Sequence, residues 1–329
     1  MAALNAFNQM TLQEAFKRLG YDSLAASLGE LAQMIDILDV MPWGPTTHGT
    51  FNRQFQASRL GKGAFSQINA PVPQIASTGD FIEEPVKLYE GMSFVDERIL
   101  QGVDDPWVVR DSEDGLNLEG AFQDWAYNLF YGADNQAAAT VDNFFSFNAR
   151  RPALTGYAPW VFSGGGSSTL TSAWLVELSP NTLFLGYPPN SGAPGFHNED
   201  RGRIFYTSPT GTGGNWFWVR LYQIWASIIL RNQRGLMRYA NLATSGSSNT
   251  FSITDFIRFG KNQLQNMGRN AFVFVNRILK GQIEAQAYKD TANGALTVQA
   301  IEGYGPVTFL AGIPVRMHEG ITNAESQLS

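Results

Sequence analysis

Cysteine is absent from this 329-residue chain, which excludes a disulfide framework and any thiolate metal site. Charge is scarce: Asp, Glu, Lys and Arg make up 16% of residues, against about 25% in an ordinary soluble domain. The balance is acidic, at −6, so the chain lacks the broadly basic character of proteins whose main task is to grip nucleic acid. No run reaches the ~18 uncharged apolar residues of a membrane span, because the best attempt, 216–230, contains Arg220 and Gln223. The opening MAALNAFNQMTLQEAFKRLG has neither a basic leader nor an apolar core. A cytoplasmically made chain with no secretory signal and no membrane contact is therefore expected.

Motifs of chemistry are equally sparse. The three histidines, His48, His197 and His318, are isolated in sequence, and only His197, in HNED, has acids beside it. Adjacent residues can face one ion only from an irregular loop, so HNED reads as a polar loop and no metal is expected. Neither GKG at 61–63 nor SGGGSS at 163–168 completes a phosphate loop, and the second lacks the G-x-S-x-G of a serine hydrolase. Glu83/Glu84, Asp104/Asp105 and Glu113/Asp114 are carboxylate pairs. With eight tryptophans they raise a sugar-cleaving enzyme, which needs two facing carboxylates. These acids are sequence neighbours near expected element ends, where capping and solvation are their ordinary roles. No enzyme and no cofactor is expected.

What the chain does have is apolar material: 44% hydrophobic residues, including 23 phenylalanines. That suffices for a core and roughly two domains. A chain this aromatic and this poor in charge is expected to bury surface against a partner, and copies of itself are the simplest one. TLQE at 11–14 is a capping box that predicts a helix to about Leu19. Leu24, Leu28, Leu31, Ile35 and Leu38 fall at helical spacing after it, and MPWGP closes that second helix.

From 46 to 92 helical periodicity is missing. GKG is the expected turn between two extended arms, and Pro71, Pro73 and Pro85 keep these arms out of the centre of a sheet. Two arms of roughly 20 residues at ~3.3 Å each would overhang a core whose radius of gyration is about 20 Å. Next, SEDGLNLEGAFQDWAYNLFYG places Leu118, Phe122, Trp125 and Leu129 on one stripe. That predicts a helix over about 112–131, begun by Ser112 and its acids and closed by Gly132. SAWLVELS and PNTLFLGY predict strands. RGRIFYTS and the 16 residues 216–231 flank PTGTGG as a long hairpin, apolar on both faces of its second strand. SITDFIRFGKNQLQ reads as a helix capped by Ser252 or Thr254. NAFVFVNRILKGQIEAQAYKD is an apolar run leading into a helix, and 295–320 a pair of strands.

Several of these stretches, in this order, resemble the major capsid protein of short-tailed bacteriophages, in the epsilon15-like branch of the Hong Kong 97 capsid fold. They are ALNAFNQMTLQEAFKRL, MPW, SEDGLNLEGAFQDWAYNLFYG, SAWLVELSPNTLFLGYPPNSGAPGFHNEDRGRI and FLAGIPVRMHEGI. Residues 133–155 depart from the family's pattern, and 243–252 read as an insertion. The resemblance implies an α+β fold with an N-terminal arm (1–45), an extended β-hairpin loop (46–92), a peripheral domain (93–150 and 201–235) and an axial domain (151–200 and 236–329). The peripheral domain would carry the spine helix at about 112–131 and a long hairpin at about 203–231.

The resemblance further implies an icosahedral shell of hexamers and pentamers around double-stranded DNA. Arg53, Phe55, Arg59, Lys62, Phe65 and Ile68 of the loop would lie on a neighbour, whose Glu119 and Asp124 on the spine helix would receive the loop's cations. Trp216 and Trp218 of the long hairpin would make further inter-subunit contacts. Weak, non-specific contact with DNA is implied, as are a cementing protein, a portal and a scaffolding protein as partners, with assembly in the host cytoplasm. Other readings are an encapsulin-like nanocompartment shell and a phage cementing or tail protein.

Overall fold

The computed structural model describes residues 37, 40–68, 71–72, 74–132, 146–190, 196–207, 213–244, 251–266, 268–289, 296–301 and 305–329. The helix expected at 11–19, and all but a trace of the one after it, lie outside these residues. Strands β1 (Trp43–Pro45), β2 (Phe51–Arg59), β3 (Thr78–Pro85) and β4 (Lys87–Asp96) precede helices α1 (Glu97–Gln101), α2 (Pro106–Tyr131) and α3 (Phe147–Arg150). Then come β5 (Val161–Ser163), β6 (Leu170–Glu177), β7 (Leu183–Tyr187), β8 (Phe196–Thr207), β9 (Gly214–Leu230) and β10 (Leu236–Ala243). The remainder is β11 (Ala271–Val275), α4 (Arg277–Lys289), β12 (Leu296–Ile301), β13 (Gly305–Leu310) and β14 (Ile313–Met317). The expected mixed α+β architecture is present.

Strand β9 is the axis of one sheet, with order β1-β7-β9-β4 and β8 on the β7 side. It pairs with β4 from Phe217↔Asp96 to Ala226↔Lys87, with β8 from Gly214↔Thr207 to Ile224↔Phe196, and with β7 at Ser227–Leu230. Its side chains alternate as a strand must. Phe217, Val219 and Leu221 are buried on one face, while Arg220 and Tyr222 on the other reach helix α2 through Asp114. Strand β4 begins at Lys87, so the long sheet takes in residues that read in sequence as part of the extended loop.

Helix α2 begins at Pro106, ahead of the expected Ser112. Asp105 caps it, accepting from the N–H groups of Trp107 (3.2 Å) and Val108 (3.4 Å), and proline occupies the first turn. An Asp-Pro start is favoured because proline's missing N–H is one the helix terminus leaves unbonded in any case. The helix ends at Tyr131, but Gly132 has φ −51° and makes no left-handed cap. Trp125 and Leu129 of the expected stripe are buried, with Ala126 and Phe130 beside them.

The second sheet runs β12-β13-β14-β11-β6-β10-β5. Every residue of β6 is buried, which explains its uninterrupted apolar run. One core layer joins Trp125, Leu129 and Phe130 of α2 to Trp174 and Phe274 of this sheet and to Ile224 and Ile228 of β9. The second layer lies under α4, around Leu279 and Ile283. Three C-terminal strands stand where two were expected. Ser252 does cap a helical turn, accepting from Asp255 N at 3.2 Å, but the turn passes into a π segment at Phe256–Gly260 and not a regular helix. No helix among the described residues is long and apolar enough to cross a membrane.

Candidate functional site

Strands β2 and β3 pair only with each other, from Phe51↔Pro85 to Arg59↔Thr78. The 18 residues between them, 60–77, carry no strand among those described. GKG is not the turn. Gly61 lies where the outgoing chain passes the returning one: its N–H donates to Ser77 Oγ at 3.0 Å, and an added Cβ would meet Ile75 at 2.1 Å. The reversal comes further on.

This arm is the most apolar exposed surface among the described residues. Phe65 and Ile68 are fully exposed, Val72 nearly so, and Phe55, Leu60, Ile75 and Phe81 more than half so. Monomeric proteins seldom display such a patch without a partner to cover it. Sequence reasoning passed over Leu60, Val72, Ile75 and Phe81. Phe81 stands opposite Phe55 in the β2–β3 register, a pairing no local pattern announces.

The predicted residues divide. Phe55, Arg59, Lys62, Phe65 and Ile68 are exposed on the arm, and Arg59 and Lys62 make no ion pair among the described residues. Arg53 is already engaged: it pairs with Glu83 of its own arm at 3.3 Å and stacks over Phe81 at 4.5 Å. On helix α2, Glu119 is 9% exposed and accepts from Gln123 Nε2 at 3.3 Å, while Asp124 accepts from Tyr89 Oη at 3.0 Å. Asp124 therefore remains reachable, whereas Glu119 is largely covered by its own chain. Trp216 is 44% exposed, with Arg203 over its ring at 4.4 Å. Trp218 points inward instead. It packs edge-on to Trp107 and lies under Arg110, which is 2% exposed and bonds Asp200 at 2.6 Å.

The expected HNED loop is part of strand β8, so its polar residues alternate across a sheet. Asp200 binds Arg110, and that bond holds its carboxyl below the usual range; Glu199 pairs with Arg201 at 3.0 Å. No cluster of His, Cys, Asp or Glu among the described residues fits a metal. The carboxylate pairs are likewise occupied. Asp105 is a cap, Asp114 lies between Arg110 and Arg220, and Glu84 bonds Arg150 at 2.8 Å.

A long-stranded sheet with a 26-residue helix laid along it, a second mixed sheet and a free two-stranded arm together define the Hong Kong 97-type capsid fold. The solved capsid of bacteriophage epsilon15 has this fold. It is 18% identical to the chain, covers 99% of both chains and superposes with a TM-score of 0.68. The bacteriophage JBD30 capsid is 14% identical over 97% of this chain and 98% of its own, with a TM-score of 0.49. The SrpI encapsulin of Synechococcus elongatus PCC 7942 is 9% identical over 66% and 88%, at 0.39. Comparison with curated proteins returns no match. The model of the family "Major capsid protein GP7" matches residues 23–329, and the chain belongs to that family. It is a major capsid protein of a tailed bacteriophage, a virion component that assembles with copies of itself. That is a structural family, in line with the expectation of a non-enzyme.

Proposed function

We propose that the β2–β3 arm is the element through which one subunit grips the next in an icosahedral shell around double-stranded DNA. The observation that carries this is the arm's own exposure: seven large apolar side chains are displayed on a hairpin that pairs with no other strand. Phe55, Phe65 and Ile68 would supply apolar contact to a neighbour, and Arg59 and Lys62 the charge that meets acids such as Asp124. Trp216, at the far end of the long hairpin, is a second contact. Single exposed ion pairs contribute only ~0–1 kcal/mol, so closure rests on many heterologous interfaces acting together.

In this reading the arm spans 46–86, because Lys87 already begins β4 of the long sheet, and the N-terminal arm 1–45. The peripheral domain holds 93–150 and 201–235, and the axial domain 151–200 and 236–329. Assembly takes place in the host cytoplasm, with scaffolding, portal and cementing proteins as partners. Contact with DNA is weak and non-specific, as an acidic chain requires. Deleting 59–62, where the outgoing chain of the arm leaves β2, is expected to leave subunits folded by circular dichroism but unable to close shells under the electron microscope. Normal particles would overturn the proposal.

A further inference from the structure

The arm joins the body at a polar root. Glu84 Oε1 bonds Arg150 Nη1 at 2.8 Å and accepts from Leu230 N at 3.4 Å, while Gln54 Nε2 donates to Leu230 O at 3.2 Å. Beside these bonds is a hollow of about 210 Å³, lined by Ile82, Glu83 and Glu84 of the arm, by Arg150, and by Ser227 and Leu230 of β9. Buried polar atoms at this place lack hydrogen-bond partners among the described residues. They are Glu84 Oε2, Ser227 Oγ, and both side-chain atoms of Asn52, which stands opposite Glu84 in the β2–β3 register. Asn52 is 0%, Ser227 3% and Glu84 6% exposed.

Native proteins leave few such atoms unpaired, and each one raises the free energy of the state that contains it. Glu84 and Ser227 line the hollow and Asn52 stands opposite Glu84, so these atoms gather at the junction between the free hairpin and the sheet. Burial pushes the Glu84 carboxyl up despite Arg150, so the pair itself is only partly compensated. At the opposite end of β9, β4 and β8 flank the strand in unbroken or singly bulged ladders.

We propose that this root is a sprung hinge: Asn52, Glu84 and Ser227 are held unsatisfied in the free subunit, and they repack, closing the hollow, when the arm seats on a second copy of the chain. The inference rests on the reading of the arm as the gripping element. It adds where the arm turns and what drives the turn. Relief of the orphan groups favours the seated state, so subunit capture and root repacking are coupled.

The test removes the spring without touching the arm's contact residues. In the full chain, Ser227→Ala deletes one orphan hydroxyl, and Asn52→Val, as an independent variant, replaces an orphan amide with a strand-forming apolar group. Each is expected to raise the Tm of the free subunit by a few degrees and to lengthen the half-time of shell closure, followed by light scattering, severalfold. A raised Tm with unchanged closure would show a merely imperfect packing and overturn the hinge. A lowered Tm in both variants would show that the groups are satisfied, and would overturn it equally. The arm deletion at 59–62 is run beside them. If that deletion still closes shells, the gripping arm itself is wrong; if it fails to close while both root variants close at the normal rate, only the hinge is.

Discussion

At the scale of single residues, His318 has the clearest consequence. It is fully buried at the end of β14, its ring 4.7 Å from that of Phe130, and its Nδ1 accepts from Gly320 N at 3.1 Å. The neutral form is thus the one the site holds, and burial lowers its pKa from the ordinary 6.5 to about 4. The unfolded chain takes up a proton as pH falls through 6.5, while the folded chain resists until about 4. Stability from this group is therefore full above pH 6.5 and falls progressively as pH drops to about 4, by about 3 kcal/mol in all. Urea titrations at pH 7 and pH 5 should show His318→Asn less stable at pH 7 but with a shallower loss between the two. An unchanged slope would exclude His318 as the titrating group. None of this was legible in sequence, where His318 is simply isolated. Its environment is made by α2, nearly 190 residues upstream.

At the scale of elements, the sequence was read well where a signal was local and poorly where two local signals competed. The long strand and the free arm were visible from apolar runs and from proline positions. The start of α2 was misplaced because Ser112 and its acids resemble a cap, while the true cap is Asp105 followed by Pro106, one turn and more upstream. The same helix contains Gly115 and Gly120, and a Cβ at either would meet nothing within 4 Å. Glycine inside a helix costs roughly 0.5–1 kcal/mol relative to alanine. Gly115→Ala and Gly120→Ala should each raise subunit stability by about that amount in thermal or urea unfolding. A variant that is stabilised as a subunit yet impaired in forming particles would mark that position as one where a neighbouring copy approaches the helix.

At the scale of the whole molecule, helix α2 and the second sheet are tied together by a carboxylate no spacing rule could reveal. Glu325 accepts from Arg238 of β10 at 2.8 Å, from Ser172 of β6 at 2.5 Å and from Tyr131 at the end of α2. Arg238 and Glu325 are both nearly inaccessible. Breaking one member of such a pair leaves the other charge buried, so Glu325→Ala should cost about 3–5 kcal/mol, measured by chemical denaturation. A loss below about 1 kcal/mol would mean that the network is solvated in the folded protein. The resemblance that sequence motifs suggested was confirmed at this scale by the family and the fold. The assignment of contact residues was only partly legible: Trp218 and Arg53 look like surface residues in sequence, yet each finds partners within its own chain.

Strand β9 has a mechanical corollary. Its 17 residues extend roughly 55 Å, and along that length it is stitched to β4 on one side and to β8 and β7 on the other. Ladder hydrogen bonds run perpendicular to the strands they join. A pull along β9 therefore meets them in shear, sharing the force among many bonds at once, whereas a pull across the sheet would open them one after another. A shell wall stretched along this direction would resist as a laminate does, and would fail first where the stitching is shortest, at the Ser227–Leu230 end beside the arm's root.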